Sequence, residues 1–180
     1  MRRSIKSKQV AFGGMIAALS LGLMMLTGII PVLMYSTPII VGLFLVLMVI
    51  EIGKKWAFAV YFSVSVMSML FVAEKESAVI YVAFFGYYPI LKPIIESIRI
   101  RAVEWILKFV VFNASMVIAY FVLIKFFGID ISLGSVGFGV VIAILLVLGN
   151  VLFLIYDIVF TRLVTAYINI WSKIVRKFLK

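Results

Sequence analysis

The 180-residue chain contains neither cysteine nor histidine. A haem held by His or Cys, a thiolate metal site, a disulfide and a Ser–His relay are thereby excluded from its own chemistry. An intramembrane metalloprotease, which needs His ligands, and a rhomboid-type protease, which needs a His base, fall with them. Acids are scarce as well, with seven Asp and Glu against 17 Lys and Arg. Phosphoryl transfer to lipids draws on clustered acids for Mg²⁺; these seven are scattered, so the chain is not expected to be an enzyme. It also lacks a Gly-x-x-x-x-Gly-Lys-[Ser/Thr] loop for nucleotide phosphates. No cofactor and no metal site are expected.

What is present is apolar surface. Sixty-six per cent of residues are hydrophobic and 13% charged, where soluble domains run near half and a quarter. Six spanning helices of about 20 residues would use roughly 120 positions and leave only short loops and tails. A single integral-membrane domain over residues 1–180 follows. The net charge of +10 has no soluble basic face to present to nucleic acid, and serves topology and anionic lipid instead.

Apolar runs bounded by charge or turn signals predict spans at about 10–30, 32–50, 56–73, 78–91, 102–127 and 136–160. With the N-terminus inside, all but two of the 17 cations, Lys75 and Lys125, fall on the cytoplasmic side. The expectation is an all-α polytopic protein of the cell membrane, six spans, both termini cytoplasmic. Residues 161–180 form a separate piece. Val164, Tyr167, Ile168, Trp171, Ile174, Val175 and Phe178 recur at helical spacing, with Arg162, Asn169, Lys173, Arg176 and Lys180 opposite. Such a basic amphipathic helix lies in the headgroup plane, as a topology anchor or as a docking surface.

Candidate site residues gather at the hairpin between spans three and four. Both spans are short, so the tip Glu74-Lys75-Glu76-Ser77 is either recessed or met by a thinned bilayer. Tyr81, Phe84, Phe85 and Tyr88 follow on one helix face. Rings with a few polar groups make a small organic ligand's pocket, or they pack against helices and lipid. Asn113 and Asn150 should face the bundle interior, as ligand contacts or as glue between helices. Glu104 can pair with Arg101 and Lys108 along one face of span five. Asp157, seven residues after Asn150, is expected to find a cation such as Arg162 or Lys108. In span one, Gly13, Gly14, Ala17 and Ala18 form small-xxx-small stripes, a surface for an internal helix or a partner.

In length and layout the chain resembles the substrate-binding S-component of an energy-coupling factor (ECF) transporter. The resemblance is carried by the basic start before Gly14-Met15-Ile16-Ala17-Ala18-Leu19-Ser20, and by Pro38-Ile39-Ile40-Val41-Gly42-Leu43 running into Glu51-Ile52-Gly53-Lys54-Lys55-Trp56-Ala57. It implies docking through Gly13, Gly14, Ala17 and Ala18 onto a transmembrane coupling subunit that works with an ATPase pair. It also implies uptake of a small molecule such as a vitamin, bound near Glu74, Glu76, Tyr81, Phe84, Tyr88, Asn113 and Asn150. Without His, a transition-metal substrate has no ligand set. The competing class is a non-enzymatic membrane assembly or lipid-associated protein, which needs neither a cavity nor ATPases.

Overall fold

A computed structural model describes residues 2–128 and 138–170, with side chains at 7–30, 32–128 and 146–170. The described residues are mostly helical and include no strand. In chain order the helices are α1 (Arg2–Met25), α2 (Ser36–Glu51), α3 (Lys54–Phe71), α4 (Lys75–Ile80), α5 (Tyr88–Ile95), α6 (Arg101–Phe127) and α7 (Phe138–Ile170). Two short 3₁₀ turns, Leu26–Gly28 and Pro31–Leu33, join α1 to α2, and a π-helical turn, Tyr81–Phe85, joins α4 to α5.

Among the described residues, four stretches are long and apolar enough to cross a membrane: Ser7–Gly28, Lys75–Ile95, Arg101–Phe127 and Leu146–Ile170. Much of their surface is apolar and exposed, as at Val147, Leu148, Val151 and Leu152 on α7 and Ile118 and Phe121 on α6. Faces of that kind suit hydrocarbon rather than water. The chain is accordingly read as a membrane protein. Ser36–Glu51 is also apolar but shorter.

Two packed bodies follow from the side-chain pattern. In the first, α1 lies against α2 and α3. Gly13, Ile16, Ser20, Met24 and Thr27 recur three or four residues apart and are buried, which is the spacing of one helix face. They pack with Val41, Leu45 and Met48 of α2 and Ala57, Val60 and Val64 of α3. The second body is aromatic. Phe84 and Tyr88 meet Phe112 of α6 and Phe153, Tyr156 and Phe160 of α7 around Val46 of α2. Phe112 and Phe153 stack at 4.7 Å, while Phe84 meets both edge-on at 5.2 and 5.6 Å, the arrangements that ring quadrupoles favour.

α7 runs unbroken through the Phe160–Thr161 boundary to Ile170. Its 33 residues give a length of about 50 Å at 1.5 Å per residue, well beyond the ~30 Å hydrocarbon core. The overhang leans back on α2, where the Tyr167 hydroxyl donates to Glu51 Oε1 at 3.1 Å. The remainder of the expected amphipathic tail, Trp171 to Lys180, lies outside the described residues, as do Asp130 and the start of the sixth span at Val136.

Candidate functional site

The span Lys75–Ile95 is not one regular helix. Between Tyr81 and Phe85 the backbone adopts a π turn, closed by Gly86 N–H donating to the Tyr81 carbonyl five residues back at 2.8 Å. π turns of this kind mark positions where an extra residue is accommodated to place side chains. Two glycines make room for it. A Cβ on Gly86 would sit 2.6 Å from the Tyr61 ring of α3, and one on Gly42 would sit 2.5 Å from the Phe85 carbonyl oxygen. The Tyr61 hydroxyl donates to the Val82 carbonyl at 2.8 Å, so a backbone acceptor inside the irregular stretch is satisfied by a side chain. That is how broken helices survive in hydrocarbon.

Below the break, α5 carries Tyr88, Lys92 and, at its C-cap, Glu96. These meet Glu104 and Lys108 of α6 and Asp157 of α7 in one ion cluster. Lys92 Nζ donates to Asp157 Oδ1 and also contacts Glu96 Oε1 at 3.0 Å. Lys108 Nζ lies 3.0 Å from Asp157 Oδ2, 2.9 Å from Glu96 Oε1 and 2.8 Å from Glu104 Oε1. The Tyr88 hydroxyl donates to Asp157 Oδ1 at 2.5 Å. Both oxygens of Asp157 are thus occupied by cations, and one oxygen of Glu96 is shared between both ammonium groups. The lysines and Asp157 are buried, whereas the Glu96 side chain is 36% exposed. Rings complete the walls, with Phe160 at 5.2 Å from Lys92 Nζ and Trp105 at 5.0 Å from Lys108 Nζ, both within cation–π range.

The residues singled out from sequence go to three separate places. Glu74 and Glu76 are half-buried at the α3–α4 tip, where the Tyr35 hydroxyl donates to Glu76 Oε2 at 3.3 Å and Thr37 meets Ser77 at 3.3 Å. Lys75 has a role the sequence reading missed. Its ammonium donates to the carbonyls of Met69 and Val72 at 2.9 and 2.8 Å, capping the C-terminus of α3 where a cation is favoured. Tyr81, Phe84 and Tyr88 are fully buried, each packed against other rings. Asn113 and Asn150 face each other across α6 and α7. Each amide nitrogen donates to the other's oxygen, at 2.8 and 3.0 Å, and to its own i−4 carbonyl, Phe109 at 2.8 Å or Leu146 at 2.7 Å. All four amide protons are used inside the protein.

On α1 the four small residues divide. Gly13 is buried, and a Cβ there would lie 3.2 Å from Val60; Ala17 packs at the edge of the same core. Gly14 and Ala18 are exposed, and Gly22 extends their row by another four residues with open space around it. Asp157 takes Lys108, as one of the sequence alternatives had it, while Arg162 is exposed. Lys92 lies just past the end of the span expected at 78–91 and is not among the residues singled out from sequence. Its signal was available: it stands four residues after Tyr88 and four before Glu96, so it continues the buried aromatic face into the acid. Compared with protein families, with curated proteins and with solved structures, the chain finds no match.

Proposed function

We propose that the chain is the substrate-binding membrane subunit of an ATP-driven uptake transporter for a small organic nutrient such as a vitamin, with ATP hydrolysed by partner subunits. One observation supports this reading over an inert assembly role: the span Lys75–Ile95 is broken midway, and its lower half bears Lys92 in an ion cluster buried between helices. Ionisable groups inside hydrocarbon are costly, and discontinuous helices beside them recur where transporters bind and move their cargo. An assembly protein of apolar helices has no use for either.

In this reading α2 and α3 also cross the bilayer, giving six spans with both termini cytoplasmic, and the cation-rich turns at Lys54-Lys55 and Arg99–Arg101 face the cytoplasm. The exposed row Gly14, Ala18 and Gly22 is the docking face for a helix of the coupling subunit, since small side chains let backbones approach closely. Gly13 and Ala17 are already engaged with the chain's own core. Substrate enters by the opposite end, at the α3–α4 tip, where Tyr35 bonds Glu76 and Thr37 meets Ser77.

The test is a mild-detergent pull-down of the tagged protein from its own cells, with mass spectrometry of the bound proteins. Recovery of a transmembrane coupling subunit with a pair of ATPases is expected. Ala18→Leu with Gly22→Leu should abolish that recovery, and the extra side chains meet open space on α1, so the fold should be retained. Reproducible absence of such partners, with the protein intact, overturns the reading and leaves the assembly or lipid-associated class.

A further inference from the structure

The half-span α5 is attached to the rest of the bundle in an unusual way. Above it, the π turn and Gly86-Tyr87 interrupt the helix. Below it, residues 96–100 leave helical geometry before α6 begins at Arg101. An eight-residue helix between two irregular joints is a lever, because rotations at the joints can move it without unwinding it. Its pivot is the contact with α2, where the absent side chain of Gly42 lets the Phe85 carbonyl come to within 2.5 Å of a Cβ position.

The polar attachments of this lever run almost entirely to α6 and α7. Tyr88 and Lys92 bind Asp157, Glu96 binds Lys108, and just above the lever Tyr87 bonds Ser115 at 2.5 Å. Next to the upper joint the Tyr81 hydroxyl is buried without a hydrogen-bond partner. Burying a hydroxyl unpaired is unfavourable, so the packing seen here leaves one group that a different placement of the joint would satisfy. The charge bookkeeping of the latch points the same way. Its three buried members, Lys92, Lys108 and Asp157, sum to +1, and the acids that offset them, Glu96 and Glu104, stand at the more open rim. Glu96 shares a single oxygen between both lysines, so a small displacement of α5 trades its bonds without stranding a charge.

We propose that α5 is a hinged lever with two packings against α6 and α7, and that the Tyr88/Lys92–Asp157 contact is the latch holding the closed one. The lever swings about the π turn and Gly86. Opening parts Lys92 from Asp157, leaves Asp157 on Lys108, and lets Lys92 keep Glu96, which travels with it on the same element. This device stands apart from the transport reading, and it is read on the isolated protein without partners or substrate.

The chain has no cysteine, so spin labels can be placed singly. Labels at Ile94→Cys on α5 and Ile155→Cys on α7, both exposed positions, report the lever in lipid nanodiscs by pulsed electron resonance. A second pair, Met15→Cys on α1 with Phe62→Cys on α3, also exposed, reports the integrity of the first packed body. The native protein should show one dominant α5–α7 distance. Asp157→Asn should raise a second, longer population about tenfold, from the per-cent range of a minor state to a tenth or more of molecules, with the α1–α3 distance unchanged. A single, unchanged α5–α7 distance in that variant, with the α1–α3 pair intact, overturns the proposal. If Asp157→Asn also disturbs the α1–α3 pair, Tyr88→Phe decides, since it deletes one hydroxyl of the latch and no charge. A longer population in Tyr88→Phe supports the lever, and a distribution identical to the native one overturns it.

Discussion

Asp157→Ala tests whether the ion cluster is organised around one hub. Among the described residues Asp157 is the only acid buried as deeply as the two lysines, and it contacts both. Its removal leaves two ammonium groups in the interior, held only by Glu96 and Glu104 at the rim. Breaking a buried pair by deleting one partner costs about 3–5 kcal/mol, because the other charge stays desolvated. Deleting a lysine is different. Lys92→Met leaves the balanced pair Lys108–Asp157 inside, and Glu96 can turn to water. Lys108→Met leaves Lys92–Asp157 inside, with Glu96 still on Lys92, and frees Glu104. Each should cost about 1–3 kcal/mol, the range for a lost charged hydrogen bond. The order is therefore Asp157→Ala worst, the lysines milder. Lys92→Met combined with Asp157→Leu should cost less than Asp157→Ala alone, since it removes a stranded charge along with its partner. Reversible unfolding in mixed micelles at rising dodecyl sulfate fraction, followed by circular dichroism, gives the differences. Raising salt should leave them within about 0.5 kcal/mol, because screening hardly reaches buried pairs. A lysine variant less stable than Asp157→Ala, or a double variant whose cost equals the sum of its parts, refutes the hub.

Three further outcomes follow from the geometry. The Asn113–Asn150 pair should show a coupling of about 0.6–1.7 kcal/mol in a double-mutant cycle with leucine, and the double variant should be no worse than either single one, which strands an amide; additive costs in the same unfolding assay count against the pairing. Gly86→Ala drives a methyl into the Tyr61 ring at 2.6 Å and should cost about 1–3 kcal/mol, the range for overpacking; a neutral result would mean the helix break is looser than described. Lys75→Met removes the cap on the Met69 and Val72 carbonyls and should cost about 1 kcal/mol, read as faster hydrogen exchange at the C-terminal end of α3 than in the native protein.

The helices themselves were legible because the signals that set them are local. The Glu51–Lys55 turn separates α2 from α3 and Gly128 closes α6, whereas the boundary expected at Pro31 is displaced: α1 ends at Met25, Pro31 opens a 3₁₀ turn, and α2 starts at Ser36 rather than at 32. Among the described residues, four of the expected spans correspond to stretches long and apolar enough to cross. The break in the fourth was not legible. Tyr81-Val82-Ala83-Phe84-Phe85 is an ordinary apolar run, and nothing in its composition asks for a π turn. The cause is tertiary: Gly42 lies on one helix and the Tyr61 ring on another, and a sequence window contains neither. Tyr81, Phe84 and Tyr88 are all buried, Tyr81 in the first core and Phe84 and Tyr88 in the second, and periodicity does not say whether such rings border a cavity or a neighbour. Phe112 and Phe153, which fill the space opposite Phe84, lie 28 and 69 positions away in the chain, on α6 and α7.

The seam of α7 shows how much more the sequence held than a search for isolated polar residues extracts. Asn150, Asp157 and Val164 recur every seven residues, and Phe153, Phe160 and Tyr167 recur every seven between them. That is the a/d spacing by which a helix keeps one line of side chains against its neighbours. Every member has a partner across the seam: Asn150 meets Asn113, Phe153 stacks on Phe112, Asp157 takes both lysines, Phe160 covers Lys92, Val164 packs at the edge of the same core, and Tyr167 reaches Glu51. A polar residue at such a position costs stability relative to an apolar one and fixes register in return. Here the two polar a positions do so at different depths, Asn150 against α6 alone and Asp157 against α5 and α6 together. A slide of α7 by one turn would bring Phe153 or Leu154, or else Phe160 or Thr161, to the lysines and leave both ammonium groups without a buried acid. The seam therefore holds α7 to a single register.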